Sequence, residues 1–175
     1  MNKNKSFETE RLLLLPTTLD DAEFLLKLMN TPKWLENIGD RNVKTIEDAE
    51  AYINKRILPQ FESVSYGNYT IIRKADKQRI GLCGLYKREG LDHTDIGFAL
   101  LTEFENNGYA FESSKRILQA AFEDFNLQTI VAITNKENKS SQKLLKKLGL
   151  AHSGVTTLPN ETKEVLVYKI ENKFL

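Results

Sequence analysis

The chain has 175 residues, with 25 Lys and Arg against 24 Asp and Glu, a formal charge of +1 and a mean hydropathy of −0.42. That length suits one domain over residues 1–175, able to bury about 70% of its unfolded surface. The balance of charge gives no footprint for nucleic acid or an anionic membrane, and a single cysteine and two distant histidines offer neither an internal disulfide nor a metal site. No apolar run approaches the ~18 residues of a spanning helix, and "MNKNKSFETE" lacks an apolar signal core. The expectation is a cytoplasmic protein, with no membrane or nucleic-acid partner and no metal.

Along the chain, "RLLLL" (11–15) is a short apolar strand ended by Pro16. "TTLDDAEFLLKLMN" then sets Thr17 or Thr18 as N-cap, acids in the first turn and Ala22, Leu25, Leu26 and Met29 on one face, the pattern of a helix. "TIEDAEAYINKRIL" repeats it, with Thr45 as cap and Asp48 three residues on. The period then changes: "NYTIIRK" and "RIGLCGLYK" flank the turn-like "ADKQ" as a hairpin, and "TDIGFALL" (94–101) is a third strand.

From Ala110 to Phe125, apolar residues recur every three or four positions, the stripe of one buried helix face. "TIVAIT" (129–134) is apolar throughout, as suits a strand covered on both sides. "SSQKLLKKLGL" is a short helix stopped by Gly149, and "HSGVTT" with "KEVLVYKI" closes the chain as a hairpin. The order β-α-α-β-β-β-α-β-α-β-β predicts an α/β fold, a mixed sheet of about seven strands with helices on both faces.

The helix after residue 108 opens on "ENNGYA" (105–110), with no Ser, Thr or Asp cap before it. Bare N–H groups and about half a positive charge at a helix start suit a phosphate. Gly108 removes the side chain that would hold such a ligand off the backbone. No Gly-Lys-Ser/Thr follows, so this is not a Walker loop, and the two-glycine spacing of a dinucleotide site is absent.

Taken together, "FETERLLLLPTTLDDAEFLLKLMNTPKW", "DIGFALLTEF", "ENNGYA" and "TNKENKSSQKLLKKLGL", in that order on those elements, resemble the GNAT superfamily of acyl-CoA-dependent N-acetyltransferases, within it the RimJ/RimL-like branch. The resemblance implies acetyl-CoA as cosubstrate. Backbone groups of Phe98, Ala99 and Leu100 would bind the pantetheine arm and acetyl carbonyl. Asn106, Asn107, Gly108, Tyr109 and Ala110 would wrap the pyrophosphate. Asn138 would bind pantetheine or its loop, and Ser141 would lie near the thioester sulfur. Glu105 stands where the family usually has Gln or Arg, Asn106 replaces a common glycine, and Leu145 occupies the place of a Tyr that protonates the thiolate in many relatives. Ser141 becomes the candidate donor in its stead, the plainer role being first-turn capping.

Asp95, by alternation on a face with Gly97 and Ala99, is the candidate general base, against an exposed strand-end acid. His93 and His152 read as surface residues and Cys83 as a buried thiol. Trp34, Glu36 and Tyr66 lie in segments that flank the acceptor cleft in the family. The function expected is direct acetyl transfer to a primary amine, a protein N-terminus (as of ribosomal proteins) or a small amine. The competing class is a non-catalytic acyl-CoA-binding module. Monomer and homodimer both stay open.

Overall fold

A computed structural model describes residues 4–172; the ends of the opening segment and of the 1–175 domain lie outside these. Eight strands form one sheet: β1 (Phe7–Glu8), β2 (Leu12–Pro16), β3 (Asn68–Arg73), β4 (Arg79–Tyr86), β5 (Thr94–Leu100), β6 (Thr129–Thr134), β7 (Ala151–Thr157) and β8 (Glu164–Glu171). Their order is β1-β2-β3-β4-β5-β6-β8-β7. The strand beyond the expected seven is the two-residue β1, too short to leave a period in the sequence. All neighbours run antiparallel except β5 and β6, which are parallel.

Helices α1 (Ala22–Met29), α2 (Pro32–Asn37) and α3 (Ile46–Tyr52) precede β3; α5 (Tyr109–Glu123) and α6 (Lys139–Lys147) flank β6. α1 buries Ala22, Leu25 and Met29 as its apolar spacing requires, while Leu26 is only partly buried. α3 is capped by Thr45, whose side chain accepts from the Asp48 amide while Asp48 bonds back to the Thr45 amide. Helix α2 was not foreseen. Its signal, Thr31 as cap and Pro32 at the first helical position, is local and spans only six residues.

After α3 the helix does not stop near Leu58. A wide turn over Ile53–Ile57, in which the Leu58 amide reaches back five residues to Ile53, leads into α4 (Leu58–Val64). Pro59 has no amide and its ring crowds the carbonyl four residues back, so a widened turn lets the helix pass it.

Strand register fixes which side each residue serves. Cys83 pairs with Phe98 and faces α5, where its sulfur lies 3.7 Å from the Ser114 hydroxyl. Tyr86 pairs with Asp95 on the opposite face, as Leu82 does with Ala99. The placement of Asp95 beside Gly97 and Ala99 follows the alternation read from the sequence.

Candidate active site

Strands β5 and β6 pair only through Thr94–Ile130 and Asp95–Val131. Beyond that they part: β6 continues on β8 through Ala132–Tyr168 to Thr134–Leu166, while Phe98, Ala99 and Leu100 keep only their β4 neighbours. The strand edges facing the gap have no ladder partner, and backbone polar groups left so call for another one. A cavity of about 820 Å3 occupies the opening and extends over the Asp95 face of the sheet.

At one end of the gap the chain turns sharply. Asn106 (φ 60°) and Gly108 (φ 81°) both adopt the left-handed conformation, and Gly108 is the N-cap of α5 with no side-chain cap. The first amides of a 15-residue helix are therefore left for a ligand, with the helix dipole behind them. Asn106, Gly108, Tyr109 and Ala110 border the cavity. Asn107 does not: its side-chain amide folds back onto the Glu105 carbonyl at 2.8 Å.

Arg11 braces the loop from the other side, and sequence reasoning passed over it. Its guanidinium donates to the Asn107 carbonyl (3.0 Å) and to Glu112 (2.7 Å), and lies 4.4 Å from the centre of the Tyr109 ring. Glu112 stands in the first turn of α5. Burial pushes its carboxyl up, but hydrogen bonds from Thr9 and Arg11 outweigh this and hold it below the usual range. No spacing rule joins Arg11 to residues 107–112; only the packing of β2 beside α5 does.

Glu105, an acid where the family usually has Gln or Arg, is ion-paired with Lys33 of α2, and both border the cavity. At the far wall, Lys147 lies 4.2 Å over the Phe111 ring, with Lys143 on the same cavity.

At α6 the cap is Asn138, whose side-chain oxygen accepts from the Ser141 amide at 3.1 Å and the Ser140 hydroxyl at 2.9 Å. Ser141 is thus not the capping residue. Its half-buried hydroxyl makes no hydrogen bond among the described residues and borders the cavity. Leu145 is in the core.

Asp95 is 1% exposed, not an open strand-end acid. Arg88 donates to its Oδ2 through Nε (3.0 Å) and Nη2 (2.9 Å). Burial raises its pKa, the charge and hydrogen bonds of Arg88 pull it back, with a smaller contribution from the Ile133 amide, and the balance is about 6.

Trp34 and Glu36 border the cavity, but Tyr66 does not. It lies behind the sheet, its hydroxyl 2.9 Å from the Thr94 hydroxyl and its ring against Phe125. Cys83 is fully buried and its thiol is pushed up by burial to about 12, which leaves it inert as a nucleophile. His93 and His152 are exposed, the latter edge-on to Tyr168. Among the described residues no cluster of His, Cys, Asp and Glu could hold a metal, and no helix is long and apolar enough to cross a membrane.

A mixed sheet whose central parallel strands part beside an uncapped helix N-terminus defines an α/β protein with a helix end open to an anion. Residues 11–151 match the Acetyltransferase (GNAT) domain, and the chain belongs to that family of acetyl-CoA-dependent acetyltransferases. It is 29% identical over 146 residues to the uncharacterized N-acetyltransferase YnaD of Bacillus subtilis, covering 83% of this chain and 82% of that one. Its fold superposes with a TM-score of 0.81 on RimL, a ribosomal L7/L12 alpha-N-protein acetyltransferase in complex with coenzyme A, at 16% identity over 95% and 98% of the two chains. The ribosomal-protein-S5-alanine acetyltransferase of Vibrio fischeri gives 0.81 at 17% identity, over 97% and 98%.

Proposed function

We propose that this protein transfers acetyl from acetyl-CoA directly to a primary amine, either a protein N-terminal α-amine or a small amine. The observation that carries this reading is the parting of β5 and β6 beside the uncapped start of α5. The gap presents free backbone groups to a linear arm, and the helix presents amides to a diphosphate. Acetyl-CoA supplies the activated acyl group. Backbone groups of Phe98, Ala99 and Leu100 hold the arm and polarise the carbonyl, a contribution that is commonly the largest in acyl transfer. Asn106, Gly108, Tyr109 and Ala110 take the pyrophosphate, with Asn107 closing the turn beneath them. Asn138, its side-chain oxygen committed to α6, has its amide group to offer to the pantetheine.

In the chemical step the neutral amine forms the new C–N bond as the C–S bond breaks. The amine loses a proton and the departing sulfur gains one. Ser141 is the donor to sulfur or the group that positions it. Asp95 is the base, reached through water because its carboxylate is buried under Arg88. An α-amine with pKa near 8 is roughly one-tenth neutral at pH 7, whereas a lysine near 10.4 is about 0.04% neutral. A base of modest strength therefore serves α-amines and weakly basic small amines. The two neighbours named for ribosomal proteins lend support to the first of these.

The test is thiol released from acetyl-CoA across a panel of peptide N-termini and small amines. Acceptor-dependent release is expected. Tight acetyl-CoA binding with no such release from any amine would make the protein a binding module instead.

A further inference from the structure

The acceptor half of the cavity shows which groups are free to read a substrate. Most of its polar side chains are spent inside the protein. Gln60 donates to the carbonyls of Tyr66 and Leu85 and accepts from the Lys87 amide. Asn68 donates to Thr17 and accepts from the Tyr86 hydroxyl. Arg88 is held by Asp95.

Among the groups left over on this cavity are three cations, Arg41, Arg56 and Lys87. Arg41, in the loop after α2, donates only to the Ile38 carbonyl at 3.3 Å. Arg56 rides on the wide turn Ile53–Ile57, and neither it nor the Lys87 side chain has an acidic partner among the described residues. Arg41 and Arg56 both border the main cavity and also a smaller hollow beside it, which Tyr52, Lys55 and Asp48 line as well, the Asp48 carboxylate being taken up by the Lys44 and Thr45 amides. Glu36 and Glu161 also border the cavity, from α2 and the turn between β7 and β8, and among the described residues neither forms an ion pair with Arg41 or Arg56. Two guanidinium groups on one cavity repel unless an anion lies between them, and their planar donor geometry matches a carboxylate or phosphate.

We propose that Arg41 and Arg56 bind an anionic group on the acceptor, so that the substrate is an amine carrying a carboxylate. This rests on the acetyl-transfer reading given above. The same charges also disfavour an ammonium nearby, which raises the fraction of acceptor amine that is neutral and ready to attack.

The experiment compares acceptors differing only in charge, by acetyl-CoA thiol release at low salt: glycine against glycinamide, and peptides beginning Ala-Asp against Ala-Asn and Ala-Lys. The first pair reports a free amino-acid carboxylate and the second an acidic residue in a peptide. In at least one pair the acidic acceptor should show kcat/KM about tenfold or more above its neutral isostere, falling with added salt. In Arg41→Gln/Arg56→Gln, checked for folding by thermal unfolding, that ratio should fall to within about twofold. The single variant Arg56→Gln, at an exposed position, gives the same reading in smaller degree should the pair fail to fold. Equal turnover of acidic and neutral acceptors in the unaltered protein overturns the anion site while leaving acetyl transfer standing. No release from any amine overturns acetyl transfer itself, and this inference with it.

Discussion

Ser141 and Asp95 flank the cavity from α6 and β5, one with a free hydroxyl and the other with a buried carboxylate. Because Asn138 caps α6, Ser141→Ala leaves the helix start intact and removes only the hydroxyl. It should lower kcat about 10- to 100-fold with a smaller change in KM for acetyl-CoA, since water replaces part of what the hydroxyl does. Single-turnover rates at saturating cosubstrate check this, and an unchanged rate would remove Ser141 from the chemistry. For Asp95, burial lifts the folded pKa to about 6, so the ionised form is present above that value and lost below it. For an α-amine with pKa near 8, log kcat/KM should rise with a slope of about one between pH 6 and 8, from the amine alone, and about two below pH 6, where the base also protonates. Asp95→Asn should keep a slope near one throughout. A single slope in the unaltered protein would mean that Asp95 does not act as the base.

The loop 105–110 and the start of α5 act as one element, because two left-handed residues and an external brace set the direction of the helix amides. A Cβ on Gly108 would meet only the Arg11 guanidinium, at an ordinary 3.4 Å, so the penalty of a side chain is conformational strain at φ 81° together with loss of room for a ligand. Gly108→Val should abolish acetyl-CoA binding in calorimetry while the core stays folded. Arg11→Ala should bare the Glu112 carboxylate beside the phosphate site and release the Asn107 carbonyl. An increase of about five- to tenfold in KM for acetyl-CoA is expected, most of it recovered in Arg11→Ala/Glu112→Gln, where the charge is gone. If the second change restores nothing, the brace acts through geometry alone. Glu105 and Lys33 cancel each other in the same element. Lys33→Met should therefore weaken acetyl-CoA binding about two- to fivefold at low salt, by leaving Glu105 unopposed, and far less at high salt.

For the molecule as a whole, the gap between β5 and β6 is a wedge in the middle of an eight-stranded sheet, which on the proposed reading acetyl-CoA would fill. A ligand that binds only the folded protein stabilises it by about 2.7 kcal/mol at a hundred times its Kd. For a chain of this size that corresponds to a rise in Tm of about 5–10 °C. Thermal unfolding with and without acetyl-CoA measures it, and Gly108→Val should lose the rise. An unshifted Tm in the unaltered protein would mean that acetyl-CoA does not bind, and a rise that survives Gly108→Val would place it elsewhere.

Much of this was written locally. Apolar residues at intervals of two or of three to four set most strands and helices, because burial of one face is decided by side-chain period before the chain has folded. The missing cap before Tyr109 marked the helix end that borders the cavity, since an uncapped N-terminus is a property of adjacent residues. The passage of a helix through Pro59 was not legible, because the widened turn that permits it costs little only once Ile53 and Ile57 are packed. Likewise the sequence could not decide that Asp95 lies buried under Arg88, that Lys33 answers Glu105, or that Arg11 reaches Asn107 and Glu112 about a hundred positions on. Each is a charge whose meaning depends on its partner and on the water removed around it, and both are fixed by which strands and helices come to lie side by side.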